Sequence, residues 1–97
     1  MNVGVCKITI RVPENQTLKG KRRVIKSLKD RLRRKFNVAV AEVENHQSWQ
    51  ISTLGVICVS DSSHHVDEII QKVVMFLENA REDIELVDEK IENISGF

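Results

Sequence analysis

Between Lys19 and Lys35 ten basic residues stand against a single acid, Asp30, a local balance of +9. At about 100° per residue, Arg22, Lys26, Lys29 and Arg33 form an i, i+4, i+7, i+11 row within about 60° of arc. Such a row is a cationic ridge, and the chemistry open to it is electrostatic: ammonium and guanidinium groups along one helix flank can follow a chain of phosphates. Lys19 and Lys21 extend the charge toward the loop after the first strand, Arg23 lies farther round the helix, and all three are counted with the ridge as candidate nucleic-acid contacts. The bland alternative is a helix that happens to use Lys and Arg on its solvent side. Asp30 lies where it can pair with Arg34 or Lys26 and neutralise part of the flank.

The opposite charge lies later in the chain. From Asp61 to Glu92 ten acids stand against Lys72, Arg81 and Lys90, a balance of −7, so a formal charge of +1 conceals two oppositely charged halves. A polyanion outside the molecule and the acidic half within it compete as partners for the basic segment.

Other chemistries are poorly supplied. Cys6 and Cys58 do not have zinc spacing, and in apolar strand contexts they read as reduced, structural side chains. His46, His64 and His65 lack carboxylates at ligand spacing, so no metal site is assigned. Lys19-Gly20-Lys21-Arg22 is not a phosphate-binding loop, and no nucleophile with a neighbouring base is evident; neither an enzyme nor a cofactor is expected. Trp49 is the one Trp. It could stack on a base or anchor a partner, but a lone Trp at a strand start more often closes one end of a core.

The elements that must position these groups follow from periodicity. Val3 to Val12 alternates, with Cys6, Ile8, Ile10 and Val12 on one face, and Pro13 ends it. A helix from about Leu18 or Lys21 to Lys35 carries the stripe Val24, Ile25, Leu28, Leu32 and Phe36. Val38 to Glu44 and Trp49 to Val59 read as a hairpin. A second helix starts within Ser60 to Ser63, with Asp67 and Glu68 in its first turn, the stripe Val66, Ile69, Ile70, Val73 and Leu77, and an end near Asn79 to Arg81. Ile84 to Ile91 is a charged final strand at a sheet edge.

This order makes residues 1–97 one α+β domain, a ferredoxin-like βαββαβ sandwich with one four-stranded antiparallel sheet and two helices on one face. RNA-recognition domains share that plan but stack bases on sheet aromatics, and the first and third strands here have none. Ala39, Ala41, Ile57 and Val59 make the second and third strands apolar on both sides, which implies cover for the open face, best supplied by a homodimer. With neither a leader pattern nor a long apolar run, a cytoplasmic location is expected.

The run Thr17-Leu18-Lys19, Lys21-Arg22-Arg23-Val24, Ser27 to Leu32 and Phe36 to Val43, with Trp49-Gln50, Leu54-Gly55-Val56 and Val59-Ser60, resembles the YlxP-like family of small uncharacterised bacterial proteins. The resemblance extends to about Glu78. It implies a ferredoxin-like fold and an unresolved activity, with genes often beside those for translation initiation and ribosome maturation factors. The family pattern usually has an acidic residue shortly before Trp-Gln, where this chain has His46-Gln47-Ser48. The expected function is a non-catalytic RNA- or ribosome-associated binding protein. The alternative is a protein-interaction or small-ligand regulatory module with no nucleic-acid role.

Overall fold

A computed structural model describes residues 1–97. The opening alternation forms strand β1 (Asn2–Arg11), with Gly4, Cys6, Ile8 and Ile10 buried and the intervening side chains only partly so. Thr17 then caps helix α1 (Leu18–Lys35), its hydroxyl accepting from the Gly20 amide at 2.9 Å. That bond satisfies one of the donors a helix N-terminus leaves open. Val24, Ile25, Leu28 and Leu32 are buried along one stripe, and Phe36 packs against the same core.

Strand β2 (Ala39–Glu44) begins one residue after the expected Val38, whose amide turns back to the Phe36 carbonyl at 3.0 Å instead of joining the sheet. Strand β3 (Ile51–Ser60) begins two residues after the expected Trp49. The Ser48 hydroxyl holds the Ile51 amide at 3.0 Å and keeps Trp49 and Gln50 in the connecting loop. Helix α2 (Ser63–Asn79) is capped by Ser62, which accepts from the His65 amide. Its first turn therefore holds no acid. Asp67 and Glu68 fall one turn later than expected; Asp67 accepts from Asn93 at 2.8 Å and Glu68 meets His64 at 2.7 Å.

Strand β4 (Glu85–Ile94) runs three residues past the expected end at Ile91. Its ladder to β1 continues through Gly4↔Asn93 and Val3↔Ile94, and main-chain bonds of that kind do not require apolar side chains. The sheet is antiparallel in the order β2-β3-β1-β4, with β4 on an edge as expected. Both helices cover one face. Cys6, Ile8, Ile10, Val40, Leu54, Val56 and Cys58 meet Val66, Ile70, Val73 and Leu77 there in a single core. Gly4 lets α2 lie close against the sheet, since a Cβ on it would lie 2.6 Å from a Val66 methyl and 2.9 Å from the Cys58 sulfur.

Directly opposed residues on an antiparallel pair share a face. The uncovered side therefore carries the rows Ala39–Ile57–Val5–Glu92, Ala41–Gly55–Lys7–Lys90 and Val59–Val3–Ile94. Register shifts between Glu42 and Glu44, leaving Val43 as an extra residue that sits over Gly55. At the other end of the face Thr53 is buried without helix cover, because Asn45 donates to its hydroxyl at 2.8 Å and Thr9 meets it at 3.1 Å.

Candidate nucleic-acid interface

Helix α1 presents the predicted row as a wall. Arg22, Lys26, Lys29 and Arg33 line one shallow groove with Ile25, Asp30 and Glu42. Asp30 is shared by Lys26 at 3.3 Å and Arg33 at 3.5 Å, while Arg34 reaches only its backbone carbonyl. Of the two pairings expected for Asp30, that with Lys26 forms, and Arg33 replaces Arg34. The Arg33 guanidinium also donates to the Val40 carbonyl of edge strand β2 at 2.8 Å, which holds its head at the β2 end of the groove. Arg22 and Lys29 make no ion pair, and neither do Lys19 and Arg23.

Lys21 does not belong to this surface. Its side chain is 0% exposed, and its ammonium donates to the carbonyls of Asn45 at 2.7 Å, Ile51 at 3.0 Å and His46 at 3.3 Å. Glu42 lies 3.3 Å away as counter-charge. An ammonium spent on three carbonyls and a carboxylate has no donor left for a phosphate. The reason was present in the spacing: Lys21 stands i−4 from Ile25 and i−7 from Leu28, on the apolar stripe and not beside it.

The same cluster neutralises the acid in the groove. Burial pushes the Glu42 carboxyl upward, but the hydrogen bond from Ser52, the Lys21 ammonium and, more weakly, His46 outweigh it and hold Glu42 below its ordinary value of 4.5. A carboxylate already compensated from within opposes an incoming phosphate less than a free one. The groove thus gathers four cations around two carboxylates, one of which is paired from behind by a fifth cation.

Trp49 does not close the core. It is 59% exposed on the β2–β3 loop. Its carbonyl accepts from the Asn15 side chain at 2.6 Å, and Gln50 donates back to the Asn15 carbonyl at 3.2 Å. Lys21 grips the same loop from beneath, so the indole projects from a segment tied at several points.

Arg31, Lys35 and Lys72 were not among the sequence candidates. The first two diverge from the ridge onto the flank of α1 that faces α2, where Arg31 lies 5.0 Å and Lys35 5.3 Å from the Phe76 ring centroid. Lys72 joins them on the wall of a second pocket. The available signal was the i, i+4 spacing of Arg31 and Lys35, with Lys72 the one Lys or Arg of α2.

The remaining reactive groups are quiet. Cys6 and Cys58 are free and buried. Burial, reinforced by Glu89, raises the Cys6 thiol to about 11, and burial raises that of Cys58 against a bond from the Gly4 backbone. Thiols pushed upward carry little thiolate at neutral pH. No helix is long and apolar enough to cross a membrane.

Comparison with solved structures places the chain beside a de novo designed protein, Foldit4. It aligns over 100% of both chains with a TM-score of 0.56 at 13% identity, a likeness of fold alone. A designed protein described as having a ferredoxin fold, LFR1 1, aligns over 97% of this chain and 84% of its own with a TM-score of 0.49 at 12% identity. In sequence, the chain is 33% identical over 63 residues to the uncharacterised protein YlxP of Bacillus subtilis (strain 168), covering 65% of this chain and 68% of that protein. The model of the family described as protein of unknown function (DUF503) matches residues 3–91, and the chain belongs to that family.

Proposed function

We propose that this is a non-catalytic, cytoplasmic RNA-binding protein linked to translation and the ribosome, in which Arg22, Lys26, Lys29 and Arg33 contact phosphates. Lys19 and Arg23 assist from the helix entry. The observation that carries this reading is the groove itself: four cations share one wall, Arg22 and Lys29 have no carboxylate partner, and Glu42 is compensated by Lys21. Contacts of this kind position a protein on a backbone and carry little sequence information. Single-strand phosphates fit this wall better than stacked bases, since no aromatic residue lines it.

The apolar open face supports a second element of the proposal, a homodimer. Val43, Ile57 and Val59 are each more than 40% exposed, at 45%, 42% and 55%. Lys7, Lys90, Glu44 and Glu92 bring both signs of charge to the same strands. A two-fold copy would match such a patch against itself.

Co-sedimentation with ribosomes on a gradient tests the function. The wild type is expected in the ribosomal fractions, and a variant with Arg22, Lys26, Lys29 and Arg33 changed to Ala is expected to stay at the top. Equal sedimentation of both removes the groove from the mechanism. Capture from lysate with and without RNase separates the alternative, a protein-interaction module, whose partners would survive the nuclease.

A further inference from the structure

Between the C-terminal halves of the two helices lies a pocket lined by Arg31, Lys35 and Phe36 from α1 and its end, and by Lys72, Met75, Phe76, Asn79 and Ala80 from α2 and its end. It differs from the groove on α1 in both wall and floor. The floor is apolar and aromatic: Phe36 and Phe76 meet edge to face with centroids 6.0 Å apart, and Met75, 61% exposed, stands at the rim. The wall carries three cations and no acid.

None of those cations takes part in an ion pair. Arg31 and Lys35 are an i, i+4 like-charge pair, a mildly repulsive arrangement, and Lys72 adds a third charge from the opposite helix. Helix C-termini attract cations, which accounts for Lys35 in the last turn of α1 and for Arg31, which donates to the Ala80 carbonyl at 3.1 Å. It does not account for Lys72, about two turns short of the end of α2. The Asn79 amide donates to the Met75 carbonyl at 2.8 Å, leaving its own oxygen as an acceptor beside the aromatic floor.

We infer that this pocket binds a small organic anion, a flat aromatic body carrying a phosphate or carboxylate. The body lies against Phe36, Phe76 and Met75, and the anionic head meets Lys72 and Lys35 with Arg31 behind them. An aromatic floor with a few convergent polar groups is the usual build of a small-molecule site, and the unbalanced charge selects the sign of the ligand. This inference stands on residues outside the RNA groove, and either can fail without the other.

Amide NMR titration of the full chain tests it, with adenosine monophosphate as the phosphate probe and indole acetate as the carboxylate probe. Saturable shifts at Lys35, Phe36 and Lys72 to Ala80 are expected with at least one of them, whether or not the phosphate probe also moves the Arg22 groove. A response to the nucleotide alone identifies the phosphate source, and a response to indole acetate alone identifies the carboxylate. Lys72→Glu, an exposed change, is expected to weaken that binding about tenfold or more. Arg22→Glu, in the separate groove, is expected to leave it unchanged. Shifts that fail to saturate with both probes, shifts that map only to the open sheet face or only to the Arg22 groove, or equal affinity in Lys72→Glu would overturn the inference.

Discussion

The ammonium of Lys21 and the carboxylate of Glu42 lie 3.3 Å apart beneath the β2–β3 loop, with the lysine side chain wholly out of water. One cation of the basic helix is therefore a clamp. It ties α1 to Asn45, His46 and Ile51 and, through Glu42, to Ser52. Removing one partner of a buried pair strands the other, at a cost of about 3 to 5 kcal/mol. Lys21→Met is expected to lose that much stability in denaturant unfolding, a large share of what a domain of this size possesses. Adding Glu42→Gln is expected to restore part of it. A Lys21→Met variant as stable as wild type would show that the clamp contributes nothing.

Acid should open the same clamp. Because the folded Glu42 carboxyl is held below 4.5, its contribution is full above that value. It declines as pH falls beneath 4.5 and is gone once pH passes below the folded value. The difference in unfolding free energy between wild type and Glu42→Gln is expected to shrink over that window. Asp83, lowered by its bond from Arg81, remains in both proteins and cancels in the comparison. A difference that stays constant through the acid range contradicts the assignment.

If a second copy covers the open face, a charge at its centre should release it. Ile57→Glu is expected to convert a two-chain particle to a one-chain particle in sedimentation velocity, with an unchanged helical signal in circular dichroism. Ile57 pairs with Val5 and Ala39 across three strands, and a carboxylate there meets its own copy in a desolvated contact. A wild type that sediments as one chain at every concentration tested rules the dimer out.

The fold was legible because β1 and both helices carry plain periods, while β2 and β3, apolar on both sides, were legible from their β-branched content and position in the order. Alternation in Cys6, Ile8 and Ile10 and the stripe Val24, Ile25, Leu28 and Leu32 fixed which faces turn inward, and the structure buries them. Boundaries moved where a side chain or carbonyl diverted the backbone, as Ser48 does before β3 and Phe36 before β2. In the candidate site, the row of four cations was legible from spacing alone. The role of Lys21 is less legible, because its charge argues for solvent while its position on the stripe places it against the core, where it is wholly buried. The exposure of Trp49 was not legible for a different reason, since a tether through Asn15 is a contact 34 residues away in sequence that no local pattern encodes.

The claim that the groove on α1 binds RNA phosphates is tested most directly by the affinity of the full chain for single-stranded RNA across a salt series. Neutralising about three or four phosphates predicts that log affinity falls with log salt at a slope of roughly −2 to −3. The variant with Arg22, Lys26, Lys29 and Arg33 changed to Ala is expected to bind weakly and with a much shallower slope, the remainder coming from Lys19 and Arg23. Tight binding indifferent to salt, or an unchanged slope in that variant, would contradict the claim.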